Sequence, residues 1–290
     1  MAGLSDNEAL PEPAGEPAAP AEVVDGIRSL HSRIDDLHRL VAQRLEAEGM
    51  HAGEWLHEAG GPAHQGPSLP AWRRRTQGEL RWPVALATAA GIALQVAVPD
   101  KLVLVSPSWV FPAAQGALLI VLIMANPQRI DRESTILRSL SLVLAAMLSL
   151  ANGYSVAALA VGITRGTMGR TAGQLLITGG VIWLTNVIAF ALWYWEFDRG
   201  GPVARALNLK DKYPDLQFPQ MVSPEMAPPD WEPAFFDYFY LAFTNATAFS
   251  PTDVMPLSRW AKAAMTVQTI ISIVTVALVV SRAVNILPTG

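Results

Sequence analysis

Residues 235–253 have the sequence FFDYFYLAFTNATAFSPTD, an aromatic amphipathic segment followed by a polar stretch that ends at Asp253. Pro256 and the pair Ala261-Lys262 come next, and an apolar segment then extends to residue 287. This order predicts a short helix, a polar loop and a membrane helix. We expect the third to cross the bilayer.

The composition of the whole chain supports a membrane location. The 290 residues are 51% hydrophobic and 16% charged, with a mean hydropathy of +0.28, whereas about 25% charged residues is typical of soluble domains. These values predict an integral membrane protein, and the order of polar and apolar stretches predicts an all-α fold with about five membrane-embedded helices after a soluble N-terminal coiled-coil helix. The five apolar segments are residues 83–98, 110–125, 134–163, 172–195 and 259–287.

The N-terminal part of the chain is polar. Residues 1–21 are rich in Pro, Ala and Glu, which predicts a disordered arm. Residues 22–48 predict a coiled-coil helix, because apolar side chains recur there at spacings of three and four. The alternative is a solvated helix lying on the protein's own surface. The apolar positions are Val23, Ile27, Leu30, Ile34, Leu37 and Val41.

Residues 49–81 predict a flexible linker that ends in a basic and aromatic collar. The collar contains Trp72, Arg73, Arg74, Arg75 and Arg81. Trp and Arg are both suited to the membrane–water interface. The arginines either set the topology or contact anionic lipid. Three membrane segments are then expected over residues 82–170.

The polar stretch resembles the ion filter of the tetrameric potassium-channel superfamily, whose pattern is Thr-x-x-Thr-x-Gly-aromatic-Gly-Asp. Thr244, Thr247 and Asp253 match that pattern, and Asp253 to Pro256 resembles the family's Asp-x-x-Pro exit. Ser258 and Ala261-Lys262 resemble its start of the inner helix. The resemblance implies a pore-like module over residues 171–290, with a re-entrant helix and loop that enter the bilayer partway and turn back. It would comprise an outer helix over 172–196, a connecting loop over 197–234, a pore helix and loop over 235–253, and an inner helix over 257–287.

The filter itself departs from the family. Ser250 and Thr252 stand where the family has glycines, and Pro251 stands where it has an aromatic residue. A non-glycine residue in a left-handed conformation costs about 1–2 kcal/mol, and Pro fixes φ near −65°. The family's ring of carbonyls therefore cannot form here. Either side-chain oxygens line the constriction, or the stiffened loop closes it. The candidate loop residues are Thr244, Asn245, Thr247, Phe249, Ser250, Pro251, Thr252 and Asp253.

One face of the last apolar segment carries regularly spaced polar residues. Two interpretations stay open, since such a face lines a pore or packs between helices. The resemblance implies the first, in which the stripe belongs to a pore-lining inner helix. Its members are Gln268, Ser272, Thr275, Val279 and Arg282.

The resemblance implies an oligomeric pore that passes monovalent cations with weak selectivity. The alternative is a non-conducting scaffold that keeps the pore fold and recruits a partner through its coiled coil. The pore module implies four copies of the chain, and the coiled coil implies two. We expect no enzymatic activity and no cofactor or metal, because no catalytic, nucleotide or metal motif is present. The net charge of −4 gives no reason to expect nucleic acid.

The distribution of Lys and Arg predicts the topology, since cytoplasmic loops are enriched in both. This rule puts the N-terminus in the cytoplasm, and we expect the chain to lie in the plasma (inner) membrane. Four complete crossings then place the pore loop inside, whereas potassium channels carry it outside. A first segment that does not cross, an external N-terminus or an inverted pore module would each resolve the conflict. The comparison sets Arg73, Arg74, Arg75, Arg81, Arg129, Arg132 and Arg138 against Lys101, Arg165 and Arg170.

Overall fold

A computed structural model describes residues 69–130, 134–168, 171–208, 213–247 and 253–286, together with Arg33 and Asp36. The chain divides into two compact units, Met1–Ser68 and Leu69–Gly290. In the first unit, Arg33 and Asp36 are helical and exposed. The rest of the predicted coiled coil, the N-terminal arm and most of the linker lie outside the described residues.

The second unit is built mainly from helices joined by short connections. Two of the long helices begin at a capping side chain: the Ser134 hydroxyl accepts from the Leu137 N–H, and the Thr171 hydroxyl accepts from the Gln174 N–H, both at 3.4 Å. Such caps satisfy N–H groups that have no partner in the first turn. The α-helices are α1 (Arg81–Val96), α2 (Val110–Ala125), α3 (Thr135–Thr164), α4 (Ala172–Phe197), α5 (Pro202–Ala206), α6 (Pro219–Val222), α7 (Phe235–Thr247) and α8 (Arg259–Ile286). The strands are β1 (Leu216–Gln217) and β2 (Met255–Pro256), and 3-10 turns occupy Ala71–Arg73, Asp100–Leu102, Asp198–Gly200 and Pro224–Met226.

Three helices, α3, α4 and α8, are long and apolar enough to cross a membrane. This finding, with the helical fold, is consistent with an all-α integral membrane protein. Helices α1 and α2 have 16 residues each, or about 24 Å at 1.5 Å per residue. That length is below the roughly 30 Å of a bilayer's hydrocarbon core.

Helix α4 occupies the centre of the bundle. In its most apolar stretch 61% of the residues are buried, against 39% for α3 and 28% for α8. Helices α1, α3, α7 and α8 all pack on it. The α4–α8 contact is close at Gly179, where an added Cβ would lie 2.7 and 2.8 Å from the two methyl groups of Val279. Glycine at this position therefore sets how near the two helices approach.

The helices fix which ends of the bundle coincide. We call the "head end" the end at which Glu79, Trp195, Phe235 and Trp260 lie, where α1, α7 and α8 begin and α4 ends. The Trp195 ring N–H and the Phe235 backbone N–H both donate to the Glu79 carboxylate, at 2.8 and 3.1 Å. The residues before α1 and the candidate pore helix are therefore on the same side. Helix α1 runs away from the head end, and α2, of equal length, runs back to it. Whether or not this pair crosses the bilayer, α3 therefore begins on the same side as α1.

The connection after α4 is tied to the head end by two aspartates. Asp198 accepts from the Asp215 N–H at 3.0 Å, and Asp215 accepts from the Arg199 N–H at 2.9 Å and the Trp260 ring N–H at 2.8 Å. Antiparallel pairing of β1 with β2 then joins this connection to the segment before α8. The loop expected over residues 197–234 is thus held to the bundle where it is described, rather than projecting from it.

Candidate functional site

The candidate pore helix α7 packs between α4 and α8 and runs antiparallel to α4. At its start, the Phe235 ring meets the Trp195 ring with 6.0 Å between centroids. Near its end, the Phe243 ring meets the Trp183 ring at 5.5 Å. Trp195 and Trp183 are twelve residues apart on α4, or about 18 Å along its axis. Helix α7 therefore descends from the head end to the middle of α4.

A buried polar network holds the start of α7. Glu79 forms an ion pair with Arg205, with 2.9 Å between Oε1 and Nη2. The Arg205 side chain also donates to the carbonyls of Trp195 and Asp198, at 2.6 and 3.0 Å. Because these groups are only 10% exposed or less, each charge depends on its partner for solvation. The network therefore fixes where α7 enters the bundle.

Tyr238 makes a second anchor one turn into α7. Its side chain is fully buried, and the hydroxyl donates to Asp198 at 2.6 Å. Burial raises the pKa of the Tyr238 phenol well above its usual value. The phenol therefore stays protonated and remains a donor to the Asp198 carboxylate.

The other end of α7 lies inside the bundle, and the last four carbonyls of a helix generally need partners from outside its own ladder. Side chains provide such partners: the Thr247 hydroxyl donates to the Thr244 carbonyl at 2.7 Å, and the Thr269 hydroxyl donates to the Asn245 carbonyl at 3.4 Å. The Ser272 hydroxyl donates to the Ala246 carbonyl. Hydroxyls from α8 thus satisfy two carbonyls at the end of a helix that lies in an apolar interior.

The end of α7 coincides with the midpoints of both neighbouring helices. Ser272 is near the centre of α8 and Trp183 is near the centre of α4. The Trp183 ring N–H donates to the Ser272 hydroxyl at 2.7 Å, so the three helices meet at one junction. The chain is back at the head end by Met255, which pairs with Gln217, and by Leu257, whose N–H donates to the Asp215 carbonyl at 2.8 Å. The segment therefore enters, stops halfway and returns.

The structure places the predicted loop residues in three groups. Phe249, Ser250, Pro251 and Thr252 lie outside the described residues, and Asp253 is exposed. Thr244 and Thr247 donate to carbonyls of α7 itself. Asn245 donates to the side-chain carbonyl of Gln268 at 2.7 Å and to the Met265 carbonyl at 3.0 Å. Asn245 is thus committed to the α7–α8 contact.

The structure corrects the interpretation of the polar stripe of α8 as a pore lining. Gln268, Ser272, Thr275 and Val279 are between 0 and 4% exposed. Gln268 accepts from the Tyr194 hydroxyl at 2.7 Å and donates to the Ala242 carbonyl at 2.8 Å. Side chains covered by their own chain cannot line a pore between several chains, so the packing interpretation holds for these four. The fifth member, Arg282, is half-buried near the end of α8.

Sequence reasoning missed the residues that position α7, namely Glu79, Asp198, Asp215 and Arg205. Each stands in a polar segment next to an apolar one. Nothing in the sequence pairs Glu79 with Arg205, which follows it by 126 residues. The sequence offers only a weaker indication: a charged residue close to a membrane segment is energetically unfavourable unless it has a partner.

Among the residues that the structure describes, no group of three or more His, Cys, Asp or Glu side chains could hold a metal ion. The site is therefore a helix held by hydrogen bonds and ion pairs. Comparison with known proteins found no matching family model, no matching curated protein and no matching solved structure.

Proposed function

We propose that the chain is one subunit of an oligomeric pore-loop membrane protein, similar to a potassium-channel pore, that passes monovalent cations with weak selectivity. The observation that carries this proposal is the path of α7, which stops beside Trp183 and Ser272 at the midpoints of α4 and α8 before the chain returns. A helix that ends halfway through a membrane is rare, because irregular backbone at that depth requires burial in protein or a water-filled cavity.

The direction of α7 favours cations over anions. A helix carries partial negative charge at its C-terminus, and in α7 that end lies in the middle of the bundle. Asp253 is exposed where the chain returns toward the head end and adds a negative charge. Both features lower the free energy of a cation on the path that several copies of this segment would enclose.

Exposed apolar faces support assembly into an oligomer. Only 28% of the most apolar stretch of α8 is buried within one chain. On α7, Phe236, Tyr240 and Phe243 are 71, 49 and 41% exposed. Neighbouring copies around a central axis would cover the α7 face, and lipid would cover the remaining part of α8. The resemblance to potassium channels implies four copies, in the plasma membrane with a cytoplasmic N-terminus.

The burial of the polar stripe of α8 favours a second function, that of a non-conducting scaffold. Gln268 and Ser272 bond to α7 and α4, so they leave no polar lining on that side of α8. The opposite face is dominated by apolar side chains such as Ile270, Ile273 and Val280. A path lined in this way would resist wetting. The soluble N-terminal helix would then recruit a partner.

Ion flux through the purified chain in planar bilayers separates the two functions. A channel gives cation current with weak discrimination between Na⁺ and K⁺, and Asp253→Asn lowers its conductance at low salt. The difference shrinks at high salt, because the screening length falls from about 30 Å at 0.01 M to about 3 Å at 1 M.

Asp230→Asn is the matched control, since Asp230 is also exposed but lies in the connection before α7. We expect its conductance to equal that of the unmodified chain. A folded oligomer that carries no current over the full range of voltage, pH and lipid would reject the channel and leave the scaffold.

A further inference from the structure

A cavity of about 440 Å³ opens at the head end, away from α7. It lies where α1 begins, α2 ends, α3 begins and α4 ends. Its wall is partly apolar, from Leu122, Ile130 and Leu137, and partly polar. The polar side chains are Arg81, Asn126, Ser134, Thr135, Arg138, Ser141 and Glu196.

Two buried side chains of opposite charge line this cavity without forming an ion pair with each other. Arg81 is 6% exposed and Glu196 is 3% exposed. Ion pairs with N–O distances of 4 Å or less occur elsewhere at the head end. Within the described ranges, however, none involves the Arg81 guanidinium, which also has no hydrogen-bond acceptor there. Its Nε is buried without a partner.

Glu196 has one donor. The Ser141 hydroxyl donates to Oε1, and no other described group donates to the carboxylate. Removing a charge from water costs several kcal/mol unless partners replace the lost hydration. Among the residues that the structure describes, the Arg81 guanidinium and the Glu196 carboxylate therefore face one cavity and are each short of a hydrogen-bond partner.

We propose that the cavity binds a phosphate that carries a primary ammonium group a few bonds away. The ammonium donates to Glu196, and the phosphate accepts from Arg81 and from Arg138 at the rim. Guanidinium groups bind phosphate oxygens through two parallel hydrogen bonds, which suits them to this partner. One ligand of this type satisfies both unpaired charges, whereas an anion alone would leave Glu196 facing a like charge.

Two sources present this chemistry: the headgroup of an ethanolamine phospholipid, and soluble phosphoethanolamine. The apolar part of the wall and the position at the end of membrane helices suit a lipid. The test therefore uses both. The purified full-length chain is stripped of phospholipid in detergent and titrated with short-chain phosphatidylethanolamine, phosphatidylcholine, phosphatidylglycerol or soluble phosphoethanolamine. Native mass spectrometry then counts the ligands bound per chain.

We expect one phosphatidylethanolamine per chain, bound about tenfold or more tightly than the other two lipids, since each of these lacks the charged hydrogen bond to Glu196. Phosphatidylcholine lacks an ammonium N–H, and phosphatidylglycerol lacks the ammonium altogether. If soluble phosphoethanolamine competes for the same site with equal affinity, the tails contribute nothing and the ligand is soluble. If it does not compete, the ligand is the lipid.

Variants then assign the site. Glu196→Gln and Arg81→Gln should each reduce binding about tenfold or more, while Arg259→Gln, an exposed arginine at the head end outside the cavity, should leave it unchanged. The selectivity among lipids is measured on the unmodified chain, so the test survives a variant that fails to fold. Equal binding of all three lipids, or no binding of any of these compounds, overturns the proposal and leaves water as the occupant.

Discussion

At the scale of single residues, two neighbouring glycines of α4 have opposite surroundings. A Cβ at Gly179 would lie 2.7 Å from a Val279 methyl group, whereas a Cβ at Gly180 would meet nothing within 4 Å. Valine has little freedom to rotate on a helix, so it cannot move aside. The two positions therefore form a matched pair.

We predict that Gly179→Ala destabilises the protein by about 1–3 kcal/mol, because overpacking forces α4 and α8 apart. Gly180→Ala should be neutral or stabilise by up to about 1 kcal/mol, since alanine favours helix. Chemical unfolding in detergent micelles measures both. The double change Gly179→Ala with Val279→Ala should recover part of the loss, and equal effects of the two single changes would contradict the close α4–α8 contact.

Glu232 provides a second prediction at this scale, concerning pH. Burial raises the pKa of the Glu232 carboxyl, and the nearby Glu79 carboxylate adds to the shift. A carboxyl whose folded pKa is raised contributes stability at low pH, and that stability is lost as the pH rises through the folded pKa. At neutral and higher pH, the ionised group therefore opposes folding.

Glu232→Gln removes this ionisation. Its stability relative to the unmodified chain should rise between pH 4 and pH 8, as measured by thermal unfolding at each pH. Glu225→Gln, at an exposed position in the same connection, should follow the unmodified chain at every pH. Parallel curves for Glu232→Gln and the unmodified chain would contradict the prediction.

At the scale of elements, the polar stripe of α8 serves as a binding surface for the end of α7. Gln268 is fully buried and contacts Tyr194, Asn245 and Ala242 through hydrogen bonds of 2.7–2.8 Å. A leucine of similar volume fills the space but leaves the Tyr194 hydroxyl without its acceptor and the Asn245 amide with only the Met265 carbonyl. A stranded buried donor such as the Tyr194 hydroxyl costs about 1–3 kcal/mol.

We therefore predict that Gln268→Leu loosens the second half of α7. Hydrogen exchange should become faster at the amides of residues 242–247 and remain unchanged in α3. The control is Thr266→Val, because the Thr266 hydroxyl is exposed and donates within its own helix to the Lys262 carbonyl. Protection of α7 that persists in Gln268→Leu would show that apolar packing alone holds its end.

The same stripe shows which features of the fold the sequence predicts and which it does not. Helices follow from local patterns, so the apolar run over residues 110–125 is found as the helix Val110–Ala125. The spacing of Gln268 and Ser272 shows that they share a face, but only the tertiary fold decides what that face contacts. The ion pair of Glu79 with Arg205 joins residues that are far apart in the chain, and no local pattern encodes such a contact.

At the scale of the whole molecule, the hydrogen bond from the Phe235 N–H to Glu79 places the basic and aromatic collar on the same side of the bundle as the start of the candidate pore helix. Exposed cations are concentrated at this head end, which predicts that it faces the cytoplasm. In that arrangement the pore loop enters from the cytoplasm, the reverse of a potassium channel. These exposed residues are Arg73, Arg74, Arg75, Arg129, Arg138, Arg259 and Lys262.

Single cysteines test this topology, since the chain has none of its own. Met226→Cys reports the head end, where the methionine is 84% exposed, and Arg165→Cys reports the opposite end at the close of α3. In intact cells, an impermeant maleimide should label Arg165→Cys alone. Met226→Cys should react only after the membrane is permeabilised. Reversed labelling would place the loop outside, and labelling of both from one side would mean that α3 does not cross.

The partners of Glu79 also determine when the head end is completed during synthesis. This carboxylate receives hydrogen bonds from Trp195, Arg205 and Phe235, which leave the ribosome more than one hundred residues later. Until then the acid has to stay hydrated, so the start of α1 remains at the membrane–water interface. Helix α7 consequently docks only after α4 has been inserted. A chain released before residue 235 would lack the backbone N–H that donates the last of these hydrogen bonds to Glu79.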